Sequence, residues 1–149
     1  MSKREELTRL YFRMFNEIGI ISQLSSNRLE RVLPPGMSIA QFSLLNHLVR
    51  LGGAWAPSRL ARAFQVTKGA MTNTLQRLDA QGLIRIAPDP DDARGKLVEI
   101  TEAGRRMREK CVGATAEVMG DIVNLVPTDD VRAVLPILEH LRKTLDENR

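Results

Sequence analysis

The spacing of the apolar residues changes at one segment of the chain, and this change restricts the fold more than any other feature. Over most of the chain, apolar side chains recur at intervals of three or four, which is typical of α-helices with one buried face. Between residues 83 and 100 the interval becomes two, at Ile84 and Ile86 and again at Val98 and Ile100. The pattern predicts a mainly α-helical protein with one small antiparallel β-hairpin.

Residues that favour helix ends divide the rest of the chain into predicted helices. Ser38 and Gln41 form a capping-box signature, Thr67 is a suitable N-cap, and Gly82 is a suitable C-terminal cap. Pro136 lies inside the last helix and should kink or split it, because proline cannot donate the backbone hydrogen bond. The helices are predicted over residues 4–33, 39–51, 57–64, 68–81, 101–125 and 128–146.

Two prolines, Pro88 and Pro90, stand between the strands of the predicted hairpin. Because proline cannot donate to a β-ladder, these residues are expected to keep the ladder short. The hairpin is therefore predicted to have strands at residues 83–86 and 96–100, joined by a long polar loop over residues 88–95.

Length and composition exclude several classes of protein. The chain has 149 residues, about one domain, and its one cysteine excludes an intrachain disulfide framework. No apolar stretch approaches the roughly 20 residues of a membrane helix, and no signal peptide is recognisable, so a cytoplasmic protein without membrane association is expected. No glycine-rich phosphate loop, nucleophile elbow, catalytic carboxylate cluster or metal-ligand spacing is present, so no enzyme, cofactor or metal is expected.

The net charge is concentrated in the middle of the chain. Residues 55–110 contain 11 basic and 7 acidic residues, so this window holds all of the formal charge of +4. The rest of the chain contains 11 basic and 11 acidic residues, whose charges cancel when the two flanks are taken together. A basic segment in a chain whose other charges cancel favours contact with a polyanion such as nucleic acid.

The predicted helices at 57–64 and 68–81 are separated by three residues, which is the spacing of a helix-turn-helix. The hairpin that follows makes a winged version, with 68–81 as the recognition helix and 83–100 as the wing. The outward face of the recognition helix is polar and contains no acidic residue, and Arg94 on the wing can enter a minor groove. The candidate DNA-binding residues are Lys68, Gly69, Thr72, Asn73, Gln76, Arg77, Arg94 and Lys96.

Several short motifs accompany this arrangement. The longest is DPDDARGKLVEITEAG at residues 89–104, and shorter ones are Leu60-Ala61, Val66-Thr67, Leu75-Gln76-Arg77-Leu78 and Gly82-Leu83-Ile84. In these motifs and in the order of its elements, the chain resembles the MarR family of bacterial transcription regulators. The resemblance implies a single MarR-type domain over residues 1–149, with a winged helix-turn-helix at 37–100 and a helical dimerisation region formed by 1–36 and 101–149.

The resemblance also implies a way of working, as a homodimer on double-stranded DNA at a pseudo-palindromic operator, and as a ligand-responsive repressor. In the family, the aspartate matching Asp92 braces the arginine matching Arg94 by a salt bridge, and that arginine contacts the minor groove. The family often has a second arginine where this chain has Ala93. A small aromatic or phenolic effector is expected between the winged region and the dimerisation helices. The residues expected to bind it are Phe15, Ile18, Phe42, His47 and Met107.

Alternative interpretations stay open for several of these residues. Each of the five effector residues, taken alone, is more typical of an ordinary core residue, with His47 as a core histidine whose hydrogen bonds are satisfied. Cys111 lies on the apolar stripe of its helix, which favours a buried structural thiol. A winged helix used for protein–protein contact without DNA is the alternative function, and the acid-free face of the recognition helix together with Arg94 argues against it.

Overall fold

A computed structural model describes all residues from 1 to 149 and contains six helices and one two-stranded antiparallel sheet. The predicted fold class, mainly α with a small β wing, is therefore confirmed. No helix has both the length and the apolar character that crossing a membrane requires. The elements are α1 (Lys3–Val32), α2 (Ile39–Leu51), α3 (Pro57–Phe64), α4 (Lys68–Ala80), β1 (Ile84–Asp89), β2 (Asp92–Ile100), α5 (Glu102–Leu125) and α6 (Thr128–Glu147).

Side-chain caps fix where the helices of the winged region begin. The predicted capping box of α2 is present, with the Gln41 amide donating to Ser38 Oγ at 3.1 Å and the Ser38 amide donating to Gln41 Oε1 at 2.7 Å. Thr67 Oγ1 accepts from the amide of Ala70 at 3.1 Å, so it caps α4 as predicted. The start of the second helix of the helix-turn-helix is therefore set by a local hydrogen bond.

The hairpin is longer than its sequence suggests. Its ladder continues to the pair Asp89 and Asp92, which leaves only Pro90 and Asp91 at the tip. The prediction of short strands and a long loop over residues 88–95 is therefore wrong. The pairing becomes irregular only between Pro88 and Asp89, at the last step before the tip.

Trp55 explains why a proline fits into this ladder. The N–H of Val98 donates to the Trp55 carbonyl at 2.9 Å, and the Val98 carbonyl accepts from the Trp55 N–H at 3.0 Å. Trp55 therefore forms an isolated antiparallel β-bridge with β2, on the side away from β1. Because Val98 turns both groups towards Trp55, its pair with Ile86 in the hairpin is a non-hydrogen-bonded one. The pair of Pro88 with Lys96, two residues further along each strand, is of the same kind. Proline therefore loses no ladder bond there.

One hydrophobic cluster of 14 buried residues forms the core, and ten of them come from α2, α3, α4 and the two strands. Helix α5 packs onto this cluster at Gly104. A Cβ built on Gly104 would overlap the carbonyl oxygen of Leu83 and would lie 2.7 Å from Cγ1 of Ile100. Arg108 adds a polar link, since its Nε and Nη2 donate to Asn46 Oδ1 on α2 at 3.2 and 3.0 Å.

The terminal helices, α1, α5 and α6, bury few of their apolar side chains. Helices α1 and α6 contain no buried residue, and α5 buries only Gly104, Cys111 and Val118. Pro136 lies within α6, which stays one helix, so of the two predicted effects, a kink or a split, the split does not occur. Because this stretch of α6 is exposed, water can bond the carbonyl of Arg132 that proline leaves without a donor.

Candidate nucleic-acid interface

Helix α4 separates its buried and exposed residues as the sequence predicts. Met71, Leu75 and Leu78 are buried in the core. The opposite face is exposed, and none of its predicted DNA-contacting side chains makes a hydrogen bond or ion pair within the chain, so their donors and acceptors are free for another molecule. These residues are Lys68, Gly69, Thr72, Asn73, Gln76 and Arg77.

The tip of the wing is held by two aspartates that bond to the backbone. Asp89 Oδ1 accepts from the amide of Asp91 at 2.9 Å, and Asp92 Oδ1 accepts from the amide of Arg94 at 3.0 Å. The side-chain salt bridge expected between Asp92 and Arg94 is not formed, because the short aspartate side chain is engaged with the amide two residues on. Asp92 therefore fixes the backbone at the tip and leaves the guanidinium of Arg94 exposed.

The start of α3, the recognition helix and the wing surround one open cavity of about 390 Å³. Its lining includes the predicted residues Lys68, Thr72, Arg94 and Lys96, with Asp89 and Asp92 beside them. A neighbouring cavity of about 550 Å³, lined by Gln76, Asp79 and the wing, continues the surface along the last turn of α4. The structure thus brings five of the eight predicted residues, three from the helix and two from the wing, onto one continuous surface, whereas Gly69, Asn73 and Arg77 line neither cavity.

Ser58 also lines the first cavity, although it is not among the residues predicted from the sequence. It stands second in α3 after Pro57, and Ala56 before them offers no capping side chain. The Ser58 amide therefore has no hydrogen-bond partner in the chain. A free amide and a hydroxyl at a helix N-terminus form a suitable position for an anion. In the sequence, the signal for this anion position was Ser58 directly after Pro57 at the start of a predicted helix.

Two further contacts order the basic side chains around the wing. Arg85 Nη2 donates to Glu99 Oε2 at 3.0 Å across the two strands, so these two side chains neutralise each other. The guanidinium carbon of Arg59 lies 4.4 Å from the centroid of the Trp55 ring, a cation–π distance.

The five predicted effector residues do not lie together. Phe15 and Ile18 line a cavity of about 610 Å³ between α1, the end of α3 and α6. Phe42 and Met107 pack instead against the main core where α2 meets α5, and His47 contacts the rings of Trp55 and Phe64, with centroids 4.7 and 5.1 Å away. The predicted five-residue site is thus wrong as a single pocket, because the core takes up three of its members.

His47 is the one residue with a buried side-chain nitrogen, Nε2, that has no hydrogen-bond partner. Of the alternative prediction, a core histidine with satisfied hydrogen bonds, the core packing against Trp55 and Phe64 is present and the satisfied hydrogen bonding is wrong. Burial, and secondarily the positive charge of Arg50, lowers the pKa of His47. Cys111 is fully buried as predicted, and this burial raises the pKa of its thiol. No three histidine, cysteine, aspartate or glutamate side chains are arranged to hold a metal ion.

A helix-turn-helix is followed here by a hairpin, and one exposed surface with polar and basic side chains spans both. This arrangement defines a winged-helix DNA-binding protein. Residues 36–95 match the sequence model of the MarR family. The multiple antibiotic resistance protein MarR of Escherichia coli is 32% identical over 106 residues, which cover 66% of this chain and 73% of that protein. The transcriptional activatory protein BadR of Rhodopseudomonas palustris is 26% identical, over 97% of this chain and 85% of that one.

Among solved structures, a mutant of E. coli MarR complexed with operator DNA superposes with a TM-score of 0.75. That likeness has 25% sequence identity and covers 95% of this chain and 99% of the other. The chain belongs to the MarR family. It is a DNA-binding transcription regulator and not an enzyme.

Proposed function

We propose that this chain is a ligand-responsive repressor that binds a pseudo-palindromic operator as a homodimer. The observation that carries the proposal is the exposed face of α4 over residues 68–77, which contains no acidic residue. Its polar side chains have no partner in the chain, and it adjoins Arg94 on the wing. Repression needs no additional surface for contact with polymerase, because occupying a promoter is enough to exclude it.

Helix α4 is proposed to lie in the major groove. Asn73 and Gln76 each present a donor and an acceptor, which suits base edges, and Thr72 suits a base or a thymine methyl group. Lys68 and Arg77 are assigned to phosphates, which position the protein without reading sequence. Gly69 lets the backbone approach the DNA, since space around its Cα is open.

The wing and the start of α3 are proposed to grip the DNA backbone on either side of α4. Arg94 enters the minor groove, where narrow A·T-rich tracts concentrate negative potential, and Lys96 contacts a phosphate. Asp92 holds the tip in place through its bond to the Arg94 amide. The free amide and hydroxyl of Ser58 bind a further phosphate.

The homodimer is proposed to form through α1, α5 and α6. These terminal helices leave long rows of apolar side chains exposed, more than a folded monomer normally shows to water. A two-fold axis through them would pair the same patch on both copies. Two copies of α4 would then stand about 34–36 Å apart, one turn of B-DNA.

The effector is proposed to be a small aromatic or phenolic compound. The cavity of about 610 Å³ beside Phe15 and Ile18 has the size of a small-molecule site and a mainly apolar lining. It lies between the winged region and the terminal helices, so a bound ligand would bear on both. Arg142 at the cavity supplies a cation for a carboxylate or phenolate.

Fluorescence anisotropy with a duplex from upstream of the gene of this protein tests DNA binding. Binding should weaken steeply with added salt, because each phosphate contact releases a counterion. Arg94→Ala should weaken binding while the protein stays folded. Arg85→Ala is the matched control, since it removes the same charge from the wing but from a side chain already paired with Glu99.

Equal losses for the two variants, or binding that does not depend on salt, would contradict the assigned wing contact. Transcription in vitro from the same promoter then tests the sign of regulation. Repression that a small aromatic acid relieves would support the proposal, whereas activation, which the name of the relative BadR describes, would contradict it.

A further inference from the structure

Arg149 forms contacts that join the end of α6 to the end of α3. Its Nη1 donates to the carbonyl oxygen of Arg62 at 3.1 Å. With the Gln65 amide oriented so that Oε1 faces Arg149, that oxygen accepts from Nε at 2.9 Å and from Nη1 at 3.2 Å. Asp146, one turn earlier, shares the single Nε hydrogen, accepting from it at 2.7 Å, and also pairs with Nη2.

The residues that Arg149 contacts build the turn of the helix-turn-helix. Gln65 is the only non-glycine residue with positive φ, at 52°, and its backbone N–H bonds the carbonyls of Ala61 and Arg62. The amide of Val66 bonds the Ala61 carbonyl at 3.0 Å. These bonds set the direction in which the chain leaves α3, and α4 begins two residues later. A cation at the C-terminal carbonyls of a helix stabilises that helix end.

No residue within α6 itself makes a hydrogen bond or ion pair to the winged region. The polar contacts of α6 stay within the helix and the residues next to its two ends. All of its side chains are exposed except that of Leu141, which is half-buried. The polar attachment between the last helix and the helix-turn-helix therefore passes through the single arginine that follows α6.

We propose that Arg149 is a positioning residue for DNA binding, which attaches α6 to the turn between α3 and α4 and thereby holds the recognition helix in its binding orientation. The inference rests on the proposed role of α4 in the major groove. It gives α6 a second task beside the proposed dimerisation, because a displacement of its last turn would release the turn of the helix-turn-helix.

The test compares Arg149→Ala with Lys143→Ala in the full chain. Lys143 is an exposed cation on α6 without a hydrogen bond or ion pair, so both variants lose one positive charge from the same end of the chain. Arg149→Ala should accelerate hydrogen–deuterium exchange of the Gln65 and Val66 amides, with exchange in α2 unchanged. It should also weaken operator binding about two- to fivefold, the size expected for losing a helix C-terminal cation. Lys143→Ala should change neither.

Each other outcome overturns the proposal. Weaker DNA binding without faster exchange at the turn would mean that Arg149 acts on the DNA directly. Faster exchange without weaker binding would mean that the contact does not position α4, and faster exchange in α2 as well would mean a general loss of stability. The exchange measurement needs no DNA, so a failure of the Arg149 proposal can be distinguished from a failure of the proposed DNA contacts.

Discussion

The winged region, residues 37–100, and the terminal helices α1, α5 and α6 use their apolar residues in opposite ways. The winged region contains most of the 17 buried residues, and only Leu51 and Val66 among its large hydrophobic side chains are exposed. The terminal helices contain nearly all the other exposed ones. The winged region therefore has a core of its own, whereas the terminal helices need a second molecule to cover them, which is the role proposed for the other copy.

The two regions also differ in charge. The formal charge of +4 falls within residues 55–110, which cover the helix-turn-helix, the wing and the start of α5. The flanks are neutral only when taken together, with a formal charge of +3 over residues 1–54 and −3 over residues 111–149. Apolar flanks whose charges cancel suit association with an identical chain, and a basic middle suits DNA. Each of the following substitutions tests one of the two regions. Each is compared with a control substitution at another position or with a second measurement on the same variant.

The largest effect is expected for a charge placed in the proposed dimer surface. Leu10 on α1 and Leu51 at the end of α2 are similarly exposed, at 59% and 55%. Leu10→Asp should weaken dimerisation by about 2 kcal/mol or more, roughly 30-fold, since a carboxylate would be buried between the copies. Sedimentation equilibrium measures this, and Leu51→Asp should leave the association unchanged. Equal behaviour of the two variants would contradict the contrast between the regions.

The next effect concerns the junction of the two regions at Gly104. Gly104→Ala should lower the free energy of unfolding by about 1–3 kcal/mol, because the new methyl group overlaps the Leu83 carbonyl and must displace α5 from the wing. At Gly113, on the same helix, an added methyl group would meet no atom within 4 Å. Gly113→Ala should therefore gain about 0.5–1 kcal/mol from helix propensity. Urea titration distinguishes these opposite signs, and a loss at both positions would refute the close packing at Gly104.

A smaller effect separates folding from DNA contact at Gly69. An added methyl group meets no atom of the chain within 4 Å, so Gly69→Ala should raise the free energy of unfolding by about 0.5–1 kcal/mol. The same methyl group should weaken operator binding, because it stands between α4 and the DNA. Thermal unfolding and anisotropy titration measure the two quantities, and unchanged DNA affinity would remove Gly69 from the interface.

The smallest effect is a dependence of stability on pH that arises in the winged region. The pKa of His47 in the folded chain is lowered, so below pH 6.5 the unfolded chain takes up a proton more readily than the folded one. The contribution of His47 to stability is therefore intact above pH 6.5 and declines as the pH falls towards the lowered pKa. His47→Phe should flatten this decline in urea titrations, whereas His140→Gln on the exposed α6 should leave it unchanged.

Helix positions were readable from the sequence because their signals are local. Ser38 with Gln41, and Thr67, cap their helices as predicted, and the stripe of Met71, Leu75 and Leu78 turns inward. The fold class followed from the change of apolar spacing, and the exposed face of α4 followed from the same helical periodicity. The DNA-contacting roles of these residues stay predictions.

The errors arose where the outcome depends on contacts between distant segments. Pro88 fits the ladder only because Trp55 fixes which groups of Val98 face the hairpin, and no local pattern shows that bridge. The resemblance predicted a salt bridge between the side chains of Asp92 and Arg94. In the structure, Asp92 accepts instead from the backbone amide of Arg94. The sequence does not show that His47 and Phe15 lie in different places, because their separation depends on how α2 is rotated against α3 and α1.

Selection of bound sequences from a pool of random DNA duplexes tests the central claim most directly. Two copies of the chain related by a two-fold axis should select a pseudo-palindrome whose half-sites are centred about 10 bp apart, one turn of B-DNA. Arg94→Ala should still select the half-sites read by α4 but should lose any A·T preference beside them. A single unrepeated site, or no enrichment above the starting pool, would contradict a dimer that presents two copies of α4 to one face of the duplex.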